Sequence, residues 1–132
     1  MYNFSTLLAG DLESIEPNVI NALKDEGFGV LTEIDIQSTL KNKLGEDMEP
    51  YKILGACNPP LAHQALMAEP DIGLLLPCNI VLRTVATGVV VSFMDPAAVF
   101  TLVDRPDVET LAQEVRQRLL RVRSALGGDF TH

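Results

Sequence analysis

The chain has 132 residues, 47% hydrophobic and 21% charged, with 9 glycines and 8 prolines. That is an ordinary globular mixture of one domain's length, and it excludes disordered, collagenous and low-complexity classes. Ten basic residues against eighteen acidic ones leave a formal net charge of -8, which argues against nucleic acid and anionic membrane surfaces as partners.

Tyr2 to Leu8 is rich in strand formers and reads as a first strand, ended by Ala9-Gly10. Asp11 is placed to cap a helix in which Leu12, Ile15, Val19, Ala22 and Leu23 recur at helical spacing. Pro17 sits early enough to kink that helix or to mark its start, and Gly27 stops it. Phe28 to Ile36 alternates as a second strand, with Phe28, Val30, Thr32, Ile34 and Ile36 on one face and Gly29, Leu31, Glu33 and Asp35 on the other. Ser38 to Leu44 is a short helix closed by Gly45, and Glu46 to Pro50 an acidic loop.

Tyr51 to Ala56 is a third strand. Asn58 caps a helix whose first positions, Pro59 and Pro60, need no N–H there; it stops before Pro70. Asp71 to Leu76, bracketed by Pro70 and Pro77, reads as one helical turn and a bend. Cys78 to Thr84 and Val89 to Met94 form an antiparallel hairpin around Ala86-Thr87-Gly88. Ala97 to Val103 is a short helical or irregular connection. Pro106 opens a last helix with an apolar stripe of Val108, Leu111, Ala112, Val115, Leu119 and Val122. Gly127-Gly128 ends it, and the tail 127–132 is expected to fray.

This order predicts one α+β domain over residues 1–132: a five-stranded, largely antiparallel sheet with the two long helices on one face. The second sheet face, or a bare edge strand, is a candidate homodimer contact. Residues 1–95 carry thirteen acids and five bases, and residues 96–132 five of each. The arginines of the second stretch are therefore expected to answer acids within the protein or in a partner copy. The first residues have neither a basic start nor an apolar run, and no apolar stretch reaches the ~20 residues that span a bilayer. The expected location is cytoplasmic, where Cys57 and Cys78 stay reduced.

Four segments are distinctive: Glu26 to Leu31 (EGFGVL), Lys52 to Ala62 (KILGACNPPLA), Glu69 to Asn79 (EPDIGLLLPCN) and Phe93 to Pro96 (FMDP). Together they make the chain, from about residue 2 to about 126, resemble the domain-of-unknown-function family numbered 302, in its branch with paired cysteines. The resemblance implies a TATA-binding-protein-like α+β topology, often as dimers. It carries no expectation of DNA binding and no established activity. The family pattern places a histidine after the Asp of the second strand. Here Ile36-Gln37 follow Asp35, so a function resting on that histidine is not carried over.

The residues themselves suggest one site. Cys57 precedes the cap of a proline-started helix, where helix N–H groups and dipole favour a thiolate; the alternative is a small buried hydrophobe. Cys78 opens the next strand. With His63 on the intervening helix, and Met67 a turn further on, Cys57 and Cys78 are a candidate soft-metal set for Cu(I) or Zn, although the spacing matches no established zinc motif. Asn58 and Glu69 flank the same loops as candidate ligand contacts; Glu69 and Asp71 could equally cap the next turn. Glu33 and Asp35, at i and i+2, could act as acid and base or simply be solvated. The leading reading is a small ligand- or soft-metal-binding module. A thiol-dependent enzyme or redox switch with Cys57 as the reactive group, and a dimeric interaction protein whose cysteines only pack, are the alternatives. No glycine spacing forms a phosphate loop.

Overall fold

The structure is a computed structural model that describes residues 1–131; His132 lies outside the described residues. In chain order it contains β1 (Asn3–Leu8), α1 (Leu12–Asp25), β2 (Gly29–Asp35), α2 (Ile36–Leu44), β3 (Tyr51–Cys57), α3 (Pro59–Ala68), a 3-10 helix (Pro70–Leu75), β4 (Cys78–Val85), β5 (Gly88–Met94), α4 (Pro96–Val99), a second 3-10 turn (Phe100–Val103) and α5 (Pro106–Leu126). The strands form one five-stranded sheet in the order β1-β5-β4-β3-β2, antiparallel at every pairing. The α+β class and the antiparallel sheet are as the sequence predicts.

Local chemistry fixes the element ends. The Asp11 carboxylate accepts from the Ser14 N–H at 2.9 Å and caps α1. Pro17 lies inside α1 without ending it. The hairpin closes on Gly88, where a Cβ would collide with the Leu8 carbonyl oxygen, so only glycine lets β1 and the turn approach so closely.

The core is a sandwich of one sheet face against α1 and α5. Val19 and Leu23 from α1, Leu119 and Val122 from α5, and Leu54, Ile80, Leu82, Val91 and Phe93 from the sheet are fully covered. Each such side chain contributes roughly 1.5–3 kcal/mol on burial. A second, smaller apolar cluster gathers Ala65, Ile72, Phe100, Val108 and Ala112, joining α3, the 3-10 helix and the N-terminal half of α5.

The structure corrects two expectations. The β2–β3 register shifts between Val30 and Thr32, where Leu31 is the extra residue. A bulge restarts the alternation. Glu33 and Asp35 are therefore carried to the helix side, opposite Leu54 and Lys52, rather than to the face that Leu31 occupies. There the Lys52 ammonium bridges Glu33 at 2.6 Å and Glu16 of α1 at 2.8 Å, and Asp35 caps α2 by accepting from the Ser38 N–H. The pair is engaged in structure, not free as an acid and base.

The tail is the second correction. Residues 127–131 are pinned rather than frayed: Leu7 and Asp129 exchange two backbone hydrogen bonds of 2.8 and 3.0 Å, and the Arg123 guanidinium lies 4.3 Å from the Phe130 ring centroid. The tail thereby occupies the outer margin of β1. The other edge, β2, pairs among the described residues with β3 alone. The C-terminal arginines do answer acids within the chain: Arg116 with Asp95, Arg118 with Glu114 and Arg121 with Glu26.

The Lys52 bridge ties α1 to the sheet, and both carboxylates hold its ammonium in the charged form, raising its pKa. Lys52→Met is expected to leave Glu16 and Glu33 repelling each other in a partly covered site, lowering stability by about 1–2 kcal/mol in urea denaturation. An unchanged midpoint would remove the bridge from the account of how α1 is anchored.

Candidate functional site

Gly55 prepares the site. A Cβ there would run into Thr32 Oγ1 and Pro77 Cγ, so the bare backbone of β3 lets Pro77 fold over the strand. The Leu76–Pro77 peptide is cis, and Cys78 then enters β4 with its Cα opposite Ala56. Cys57 is the next residue of β3. The two cysteines thus meet at one end of adjacent strands, as the sequence suggested, and both are free.

They border a crevice walled by Phe28, Ala56, Leu61, Ala65, Leu76, Phe100, Leu111 and Val115, with Asn58 and Ala62 completing the rim. Its location follows from the packing. Phe28, Ala56, Cys78 and Val115 belong to the main core, while Ala65 and Phe100 belong to the smaller cluster. The crevice is the seam between the two. Its volume is about 30 Å³, room for one to two water-sized groups, and the walls offer almost nothing to hydrogen-bond a water.

The electrostatics oppose the thiolate alternative and fit the buried-hydrophobe one. The Cys57 thiol is pushed up by burial. Cys78 is pushed up to about 12, by burial first and by the neighbouring Cys57 second. Asn58 does cap α3, accepting from the Leu61 N–H at 3.4 Å, and the Asn58 carbonyl accepts from Ala62 N–H. But Pro59 and Pro60 fill the first two helical positions and have no N–H to offer. The donors that lower a thiol's pKa at a helix N-terminus are missing, so desolvation decides the direction. Neutral thiols are poor nucleophiles and poor metal ligands until deprotonated.

The remaining candidates separate. Asn58 is buried and engaged, its side-chain N–H₂ donating to the Glu26 carbonyl at 3.4 Å. Glu69 caps the 3-10 helix by accepting from the Asp71 N–H at 3.3 Å, the capping role weighed for it. His63 is exposed on α3 and borders no part of the crevice, and Met67 is 69% exposed. Among the described residues no three histidine, cysteine or acidic side chains converge to hold a metal ion. The structure therefore brings Cys57 and Cys78 together with Asn58, and leaves His63 out.

Sequence reasoning missed Phe28, Phe100 and Leu111, which reach the crevice from separate elements and carry no shared motif. It also passed over Arg83. The alternation of β4 marks that residue, with Cys78, Ile80 and Leu82 covered and Asn79, Val81 and Arg83 on the other face.

Among the described residues no helix is long and apolar enough to cross a membrane. No curated protein matches the chain. A crystal structure of an uncharacterized conserved protein DUF302 from Bacillus stearothermophilus superposes with a TM-score of 0.89 at 24% sequence identity, covering 96% of this chain and 99% of that one; at that identity the likeness is one of fold. The model of the family described as "Domain of unknown function DUF302" matches residues 4–126, which span nearly all of β1 to the end of α5, and on that match the chain belongs to the DUF302 family.

Proposed function

We propose that the protein is a small-ligand binding module whose site is the seam crevice beside Cys57 and Cys78. The observation that carries this is the apolar gap between two separately packed clusters, open to solvent and bordered by two neutral thiols. A void of about 30 Å³ accepts the end of an alkyl chain and widens if the clusters part. The thiols then act as weak, polarisable hydrogen-bonding groups rather than as attacking sulfurs.

The thiol-enzyme and disulfide readings are weaker on two counts. Both thiols are held protonated. Cys78 pairs with Ala56 across the ladder, so Cys57 is one residue out of direct register with it, an arrangement less suited to a bridge than a facing pair. The three-ligand metal reading loses His63. A homodimer formed at β2, where Leu31 is 67% and Ile34 46% exposed, and a reducing cytoplasmic location suited to free thiols, belong to the same proposal.

The test uses uncharged probes. 1-Hexanol and 1-octanol are titrated into the protein and followed by the methyl signals of Ala62 and Ala65. Saturable shifts centred on those methyls, weakened at least about tenfold by Ala62→Phe at the rim, are the expected result. Ala62 is only partly covered, so that variant should keep the far-UV circular dichroism of the parent. Shifts that never saturate, or binding indifferent to Ala62→Phe, would remove the crevice as the site.

A further inference from the structure

The uncovered face of the sheet holds a second, larger depression, with no acidic residue in its lining. It lies across β5, β4 and β3, has a volume of about 390 Å³ and is bordered by Arg83, Tyr51, Tyr2, Asn79 and Ser92, with Val81 as an apolar floor. Arg83 and Tyr51 are direct cross-strand partners, as are Val81 and Ser92. That places their side chains side by side on one face. The volume falls within the ~300–1,000 Å³ of small-molecule sites.

Two features of charge set this depression apart. The chain has eighteen acidic residues, yet none borders the depression. Arg105, Arg116, Arg118 and Arg121 each pair with a carboxylate. Arg123 donates to the Ser5 carbonyl and lies over the Phe4 and Phe130 rings. Among the described residues Arg83 alone of the arginines has no ion pair, hydrogen bond or ring contact. An unopposed guanidinium in a protein of net charge -8 is a fork of donors with no acceptor supplied by its own chain. The Tyr51 hydroxyl stands on the neighbouring strand, and Tyr2, Ser92 and Asn79 add polar groups further along the depression.

From this geometry we infer that the uncovered sheet face binds a small organic anion. Its carboxylate or phosphate monoester group would be taken by Arg83, and its flat apolar body would lie on Val81 beside Tyr51. The bidentate geometry of arginine suits both head groups. The site is separate from the seam crevice and does not rest on it.

The experiment titrates the full chain with benzoate, with phenyl phosphate, and with benzyl alcohol as the uncharged analogue, following backbone amide shifts. Saturable shifts on β3–β5 residues are expected for at least one anion. Benzyl alcohol should bind at least about tenfold more weakly. Arg83→Met, an exposed position whose loss leaves the circular dichroism unchanged, should weaken the anion about tenfold or more, and Arg83→Lys should restore part of it. Tyr51→Phe provides an independent reduction. A preference for benzoate assigns a carboxylate ligand, and a preference for phenyl phosphate a phosphate ester. No saturation by about 10 mM of either anion, equal binding by Arg83→Met, or shifts centred on the Cys57 crevice would overturn the inference. So would conversion of a dimer to monomer by Arg83→Met with no anion bound, since Arg83 would then answer a carboxylate of a second copy.

Discussion

Phe93→Ala is expected to lower stability by about 3–5 kcal/mol, the range for emptying a fully buried aromatic position, and to lower the melting temperature by roughly 10–20 °C for a chain of this length. Phe93 has no exposed surface and stands between Phe4 on β1 and Ile80 on β4 as their cross-strand partner. Its ring stacks on that of Phe4 with centroids 5.6 Å apart. Phe4 in turn lies under the guanidinium groups of Arg116 and Arg123, at 5.9 and 5.3 Å. Truncation therefore opens a void and also removes the platform by which α5 is held over β1. Thermal unfolding by circular dichroism, with Phe93→Leu as a milder control, reads the effect. A loss below about 1 kcal/mol would mean that the sheet repacks around the gap and that Phe93 is not the keystone described here.

The second large effect is alkaline. Cys78 moves from an ordinary thiol value of 9.0 to about 12 on folding. A group whose folded value lies above its unfolded one stabilises the native state fully below the unfolded value and loses that stabilisation as pH rises through the folded one. Native Cys78 keeps its proton while the unfolded thiol has lost it, so the unfolded state binds fewer protons and stability falls with pH. The window runs from about pH 9 to about pH 12, and the loss is about 3–4 kcal/mol over it. Lys52, also raised, contributes its own alkaline decline, so the comparison is made between the parent and Cys78→Ala. The variant should be less stable at neutral pH from the lost packing and should decline less steeply above pH 9. Parallel curves would show that Cys78 is not protected from ionisation by its surroundings. The same burial predicts that iodoacetamide near neutral pH labels Cys57 more slowly than free cysteine and spares Cys78 until unfolding. Labelling of Cys57 faster than free cysteine would favour the thiol-enzyme alternative over the binding module.

Much of the fold was legible because its signals are local. Asp11 and Asn58 announce their helices by capping chemistry, the stripe of α5 by its 3.6 period, and the hairpin by a glycine turn between two β-branched runs. The pairing of the two cysteine loops was legible as well, since neighbouring strands bring their ends together. What escaped depended on distant partners. The bulge at Leu31 exists only in register with β3, and nothing in GVLTEID marks it. The docking of Asp129 on Leu7 joins residues at opposite ends of the chain. The thiolate reading of Cys57 is weakened for a more instructive reason. The helix start was correctly found, but the prolines that identify it also delete the N–H groups that would have made Cys57 acidic. The seam itself lies where two apolar clusters adjoin, and no periodicity records it.

The strap that the C-terminal residues lay along β1 has a consequence for how copies of this molecule can join. Asp129 takes up both outward-facing backbone groups of Leu7, so a strand adding along this margin of the sheet would first have to displace the strap. Removing residues 127–132 is expected to uncover that stretch of β1 and to raise the tendency of the sheet to pair edge to edge, read as self-association that grows with concentration.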